Sequence, residues 1–406
     1  MKRIYIATLF VVNCFVGLQA QTDKIVSDTI VTDTMAVELP WPQNILARLD
    51  SLVQDPLLQR TQLGLMVYDL TADSTLYAFN AKQTMRPAST MKLLTAVTAI
   101  DQLGGNYKFR TTLRYKGEVR DSVFTGDIYC VGGMDPMFES KDMKAFVESV
   151  KALGVDTIRG RLVAVNNFKE ENLLGEGWCW DDDNPQLAAL LVDRKNEFMP
   201  RFVQGLRDAG IVVEAPCSSD VVPRDALTLS VCSHSIKEIL EPMLKESDNL
   251  YAESMFFQIA ALQGVRPAKA AHARQLIKKT LGKAGVSEIP YRIADGSGLS
   301  LYNYVTPEIL TRLLTYAYRN TNLFMNLYTA LPIAGQDGTL KKRMKEPETN
   351  GKVRAKTGTL AGISSLAGYA MTPNYHMLAF CIINQGIMKN AEGRGFQDKV
   401  CAALCK

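Results

Sequence analysis

Histidine and tryptophan are scarce in this 406-residue chain, with three of each. The histidines are His234, His272 and His376, and only the neighbours Cys232 and His234 come anywhere near a metal-ligand spacing. No metal is therefore expected, and no motif asks for a cofactor. An excess of one charge is absent as well. Forty-six basic residues face forty-two acidic ones, a net charge of +4, and no run of like charges marks a tail. That balance gives no electrostatic case for nucleic acid. Beyond the N-terminus, no stretch reaches the roughly 18 continuous apolar residues of a membrane span. The eight cysteines are irregularly spaced, and odd in number once Cys14 is set aside. That is not a disulfide framework, so most are expected as buried small hydrophobes, with at most one pair bridged.

What is present suggests a large core. The chain is 47% hydrophobic and 22% charged, enough for two or three domains. Residues 1–20 read as a secretory leader: Lys2 and Arg3 precede the apolar run Ile4–Gly17, and Leu18-Gln19-Ala20 offers a small-residue cleavage site. The rival reading, a lipid on Cys14, has Asn13 where a small residue is wanted. We therefore expect an exported, periplasmic protein with a soluble mature chain. Residues 21–43 read as a tether ending in Pro40-Trp41-Pro42.

Helical spacing follows at Asn44–Leu58, then a hairpin of Gly64–Leu70 and Ser74–Asn80 around Thr71-Ala72-Asp73. Near the other end, Lys352–Leu360, Ser365–Met371 and Met377–Asn384 read as strands, followed by a closing helix, Phe396–Cys405. Strands at both ends with helices between them predict one antiparallel sheet built from the two chain ends. Residues 126–223 differ in texture. Short strand-like runs, "DIYCVGG" and "RLVAVNN", are joined by helical stretches at Lys141–Leu153 and Phe198–Ala209. That segment reads as a domain inserted into residues 44–125 and 224–406.

The chemistry begins in "RPASTMKLLTA", residues 86–96. Ser89 and Lys92, three apart on a helix, share one face. Ser89 falls at the helix start, where free N–H groups favour developing negative charge. A helix apolar nearly all round is buried, and burial disfavours an ammonium. A neutral amine beside a hydroxyl is a general base, which makes a serine nucleophilic without histidine. S-x-x-K alone arises by chance about once in a chain this long. It is joined by Ser247-Asp248-Asn249 and by Lys356-Thr357-Gly358, each pattern occurring once and in that order. Ser247 offers a proton relay from Lys92 to a leaving amine. Asn249 offers a hydrogen bond to the substrate amide, and Lys356 and Thr357 a receptor for a free carboxylate. Gly358 lets backbone approach the strand closely, and the N–H groups of Ser89 and Thr359 would form an oxyanion hole.

This trio is the set found in class A β-lactamases and penicillin-binding proteins. The chain resembles the low-molecular-mass class C penicillin-binding proteins, the D-alanyl-D-alanine carboxypeptidase/endopeptidases. The resemblance runs from Gly64 to Cys405 and includes "GDIYCVGGMDPMF", "GWCWDDDNP", "LVDRKN", "ADGSGLSLYN" and "LPIAGQDGTLKKRM". The long stretch between Ser89 and Ser247 fits this group, which carries an insert there. The resemblance implies an α/β (α+β) fold, a DD-peptidase-like domain of antiparallel sheet flanked by helices, plus a smaller inserted α/β domain. It implies a serine-type D-Ala-D-Ala carboxypeptidase or endopeptidase acting through an acyl-enzyme. The partners would be peptidoglycan stem peptides ending in D-Ala-D-Ala and β-lactams as covalent inhibitors, and a homodimer is compatible with it. Ser89, Lys92, Ser247, Asn249 and Lys356 would be catalytic. Thr357, Gly358, Thr359 and Leu360 would bind substrate, with Asp182 and Leu187 at the diaminopimelate side chain. Two departures stand out. The further domain nested in the insert of many relatives is very short or lost, and Leu301 stands where a basic residue is usual. The rivals are a β-lactamase-like hydrolase and a penicillin- or peptidoglycan-binding module with residual activity. The long stretch between Ser89 and Ser247, far more than a β-lactamase carries between these motifs, opposes the first. The intact trio opposes the second.

Overall fold

The computed structural model describes residues 39–214 and 216–406, so the leader, Cys14 and most of the tether lie outside the described residues. Helix α1 (Gln43–Leu52) precedes strands β1 (Gln62–Asp69) and β2 (Ser74–Phe79). The helix stops short of the expected Leu58. Pro56 disfavours helical geometry at Asp55, whose carboxylate instead accepts from Leu57 N and starts a short 3-10 turn. Helix α2 (Lys92–Leu103) leads into β3 (Lys108–Arg120) and β4 (Val123–Val131), then α3 (Ser140–Lys151), β5 (Thr157–Val165) and α4 (Phe198–Asp208). Short strands β6 (Val212–Val213) and β7 (Cys217–Ser219) precede β8 (Leu227–Ser235). Helices α5 (Ile236–Lys245), α6 (Asn249–Ala261), α7 (Ala270–Lys283), α8 (Pro307–Tyr318) and α9 (Thr321–Ala330) follow. Strands β9 (Val353–Leu360), β10 (Ile363–Met371), β11 (Met377–Gln385) and helix α10 (Asn390–Cys405) close the chain.

The first sheet is five-stranded and antiparallel, ordered β2-β1-β11-β10-β9, so the two chain ends do build one sheet. Its centre is buried on both faces, which explains a continuous apolar strand such as "MLAFCIIN". Along β11, Ala379, Cys381 and Ile383 join the cluster of α2, α5, α6 and α8, while Leu378, Phe380 and Ile382 join that of α1 and α10. This is the two-residue alternation of a strand. Helix α10 begins at Asn390, earlier than Phe396. Gly393 sits tightly against β10, where an added Cβ would lie 2.9 Å from Ser364 Cβ. Close packing, not helix propensity, decides that turn.

The second sheet is six-stranded and mixed, ordered β6-β5-β4-β3-β8, with β7 also on β5. It takes in β3 and β8 and so runs from Lys108 to Ser235, wider than 126–223. Helices α3 and α4 pack on it through Phe146, Phe198 and Phe202. Cys130, Cys381, Cys401 and Cys405 are buried, Cys179 and Cys217 are exposed, and none of the described cysteines is bridged. Among the described residues no helix is long and apolar enough to cross a membrane.

Candidate active site

The turn that carries Ser89 is held by close packing. Ala88 takes a left-handed φ of 47° just before Ser89, a conformation that costs on the order of 1–3 kcal/mol in a non-glycine residue. An added Cβ on Gly298 would sit 1.9 Å from Ala88 O, so the loop after α7 is pressed against this turn. Residues 88–91 form a 3-10 turn that runs into α2, with Lys92 its first residue. Every residue of α2 from Lys92 to Ile100 is buried, as an all-round apolar helix requires.

Lys92 Nζ lies 3.1 Å from Ser89 Oγ, 2.7 Å from Asn249 Oδ1 and 2.8 Å from Ser297 O. The last two are acceptors only. A neutral amine has two N–H groups and one lone pair. The two N–H groups go to Asn249 and Ser297, and the lone pair is left to the Ser89 hydroxyl. Burial pushes the Lys92 ammonium down to about 8, against the charges of Asp295, Glu253 and Asp248, which hold it up.

Ser247, at a left-handed φ of 64°, ends the turn between α5 and α6. Lys356 Nζ donates to its Oγ at 2.8 Å and to Thr357 O at 2.8 Å. Lys356 is fully buried, and burial, then the charge of Lys92, pulls it well below the ordinary lysine range. The lysine of K-T-G thus faces Ser247, not the open surface. The exposed hydroxyls beside it are Thr357 Oγ1 and Thr339 Oγ1, 2.9 Å apart. Thr339 is held there by a 3-10 turn, whose Asp337 accepts from Lys245 at the end of α5. Gly358 has a specific reason. A Cβ there would lie 2.1 Å from Ser365 Oγ, 2.8 Å from Pro87 O and 3.0 Å from Ser89 N. The glycine admits the Ser89 turn itself against β9. Thr359 is exposed and Leu360 half-buried just beyond it.

Behind Lys92 lies a buried acidic bracket. Glu253, one turn after Asn249, accepts from Gly296 N at 3.0 Å and Ser297 N at 2.7 Å. Burial, then Asp295, raises it to about 8. Asp295 accepts from Trp178 Nε1, Gly298 N, Ser300 N and Asn303 Nδ2. The run "ADGSGLS", quoted above for the resemblance, therefore presents Ser297 O to Lys92. Neither Glu253 nor Thr339 was singled out by sequence. The only signal for Glu253 was an acid four residues after Asn249 on an otherwise apolar helix.

Asp248 caps α6 by accepting from Leu250 N and Tyr251 N, and it pairs with Arg194 at 2.7 Å. Arg194, Lys195, Asp183 and Asn184 line a cleft of about 790 Å³ that reaches Asn249. Asp182 is exposed in the turn beside this cleft, whose lining takes in Asp183. Leu187 is buried behind the turn among core residues. Ser89, Lys92 and Asn249 thus meet in one cluster, Ser247 and Lys356 in a second, and Asp182 and Leu187 stand apart from both.

The pattern of the D-Ala-D-Ala carboxypeptidase 3 (S13) family matches residues 45–204 and 184–405. The D-alanyl-D-alanine carboxypeptidase of Actinomadura sp. (strain R39) is 26% identical over 83% of this chain and 80% of its own. The crystal structure of penicillin binding protein 4 (dacB) from Haemophilus influenzae superposes with a TM-score of 0.81 at 24% identity, covering 88% of this chain and 99% of that one. Its complex with a novel β-lactam gives 0.77 at 23% identity and the same coverage. A predatory peptidoglycan endopeptidase from Bdellovibrio bacteriovorus, Bd3459, gives 0.58 at 16% identity over 85% and 92%.

Proposed function

This chain belongs to the D-Ala-D-Ala carboxypeptidase 3 (S13) family, and from that membership we propose how its residues carry out serine-type DD-peptidase chemistry. The observation that carries the reading is the Lys92 amine, buried and given two acceptors and one hydroxyl. Ser89 is the nucleophile and Lys92 its base. The lone pair of Lys92 takes the Ser89 proton while Oγ bonds to the carbonyl carbon of the penultimate D-Ala. The N–H groups of Ser89 and Thr359 hold the oxyanion, and losing one such donor typically costs about a hundredfold in rate.

The two lysines work as a pair. Each is lowered by burial, and the charge of Lys92 lowers Lys356 further. When Lys92 gains the Ser89 proton, Lys356 is driven to release one through Ser247 to the departing amine, and the C–N bond breaks. Water then attacks the ester. Its proton returns through Ser247 to Lys356, while Lys92 gives its own back to Ser89 as the C–O bond breaks. The terminal carboxylate of the stem peptide sits at the hydroxyls of Thr357 and Thr339, and its charge draws a proton onto Lys356, leaving Lys92 neutral. A β-lactam follows the first half of this path and stays as an ester.

The acidic turn Asp181-Asp182-Asp183, with Asp182 the expected ligand, offers an anionic surface for the amine of a diaminopimelate side chain. Asp183 on the cleft wall supports that placement, with Leu360 bordering the site and Leu187 backing the turn. The second sheet and its helices read as an insert in the DD-peptidase domain, and the leader supports export to the periplasm.

The test combines a fluorescent penicillin with a diaminopimelate pentapeptide. Wild-type chain should be labelled and should release D-Ala, and Ser89→Ala should do neither while keeping its unfolding transition. Labelling with no D-Ala release would leave only a binding module. Labelling of Ser89→Ala at another serine would overturn the nucleophile.

A further inference from the structure

The cysteine–histidine pair that sequence alone left aside does not stand alone in the fold. Cys232 and His234 are two apart on β8, so their side chains leave one face of the sheet. Asp135, from the loop after β4, is buried, and its Oδ2 lies 2.7 Å from His234 Nδ1. One ligand-type atom from each of Asp135, Cys232 and His234 falls within 4.8 Å of the others. Asp142, in the first turn of α3, adds a negative charge near the same thiol and accepts from Glu139 N. An Asp–His hydrogen bond by itself would only orient a ring. It gives no reason for a thiol to converge on that point as well.

We propose that Asp135, Cys232 and His234 form a three-residue zinc site whose fourth position is open to water. Bonds of about 2.0–2.3 Å to N, O and S place tetrahedral ligand atoms about 3.3–3.8 Å apart, so binding would break the 2.7 Å Asp135–His234 hydrogen bond and spread the two groups by about 1 Å. The thiolate and imidazole select a zinc-like ion over calcium or magnesium. On binding, the S–H bond of Cys232 breaks, its proton leaves to solvent, and a Zn–S bond forms; His234 binds as neutral imidazole. The ion would join two elements, β8 and the loop of Asp135. In that loop Gly133 O accepts from Gln258 Nε2 of α6, the helix that begins with Asn249. Zinc would thus fasten the second sheet to the helix that carries a catalytic residue, without touching the reacting atoms.

The test is optical. The reduced chain, stripped with a chelator, is titrated with Co²⁺, and Zn²⁺ is then added as competitor. One equivalent of Co²⁺ should give a sulfur-to-cobalt charge-transfer band that Zn²⁺ bleaches. Cys232→Ser should abolish the band, His234→Ala should weaken Co²⁺ binding at least tenfold, and joint Cys179→Ser and Cys217→Ser should leave it intact. A wild-type chain that shows no thiolate band overturns the proposal whether or not the variants fold. So does a band that survives in Cys232→Ser.

Discussion

Replacing Lys92 by methionine keeps the length and apolar stem of the side chain and removes only the amine. Burial lowers the Lys92 ammonium from 10.5 to about 8. At about 1.36 kcal/mol per unit, the charged form costs the folded chain about 3 kcal/mol. The unfolded chain holds this proton up to about 10.5, whereas the folded chain releases it from about 8. Between those values the unfolded state binds more protons, so stability rises with pH. From pH 7 to pH 9.5 the gain is about 2 kcal/mol by that linkage. Methionine does not titrate, so Lys92→Met must lack it.

Absolute stability is less telling. The variant sheds the cost of the buried charge, but it leaves Asn249 Oδ1 and Ser297 O without their donor. An orphaned buried acceptor costs about 1–3 kcal/mol, so the two effects oppose. The change with pH is the clean quantity. Urea unfolding of both chains at pH 7 and 9.5, at equal m, should show the gap in stability shifting by about 2 kcal/mol in favour of wild type. Acylation by fluorescent penicillin should fall at least a hundredfold in the variant. Parallel stability profiles would refute the buried, depressed amine, and unaltered acylation would remove Lys92 as base.

The carboxylate of Glu253 holds Lys92 up, so Glu253→Gln should lower Lys92 further and move the acylation profile to lower pH. A profile that stays put would show that Glu253 only ties the loop. Gly358→Ala should force β9 away from the nucleophile turn, because its Cβ would fall 2.1 Å from Ser365 Oγ. Overpacking of this kind costs about 1–3 kcal/mol, so Tm should fall and penicillin labelling should be lost; labelling at the wild-type rate would refute the close approach. Thr339→Val removes the hydroxyl paired with Thr357 and should raise KM for the pentapeptide with little change in kcat. A loss of kcat alone would place Thr339 outside carboxylate binding.

The first sheet was legible because its strands announce themselves by alternation and turn residues at both chain ends. The second was legible only at its centre. The outer half of β3, "YKGEVR", is largely exposed and charged, and Gly117 and Gly126 face each other where any Cβ would strike the partner backbone. Such residues suggest a loop until their pairing is known. At the site, three short motifs named five side chains, because chemistry demands those types. Partner choice was not legible. Ser247 bonds Lys356, not Lys92, since the turn at Ser247 and the register of β9 set the pairing and neither leaves a local mark. The bracket of Asp295 and Ser297 was hidden for the same reason: its acceptors and donors are mostly backbone atoms, which every sequence has.

That pairing decides how the molecule can hold two buried lysines at once. Two ammonium charges in one dry cluster would repel, and each would lose most of its hydration. The fold answers on the Lys92 side with Asp295 and, as pH approaches about 8, with Glu253. Beside Lys356 its two hydrogen-bond acceptors are uncharged, Ser247 Oγ and Thr357 O. The resting charge therefore favours Lys92, the wrong member for a base. An anion arriving beside Thr357 reverses the preference, because it is nearer Lys356 along β9. In the proposed mechanism the base is freed only when a carboxylate-ended substrate is seated. A substrate with its terminal carboxylate amidated should therefore lose acylation rate as well as affinity, and an equal kcat for acid and amide would break this coupling.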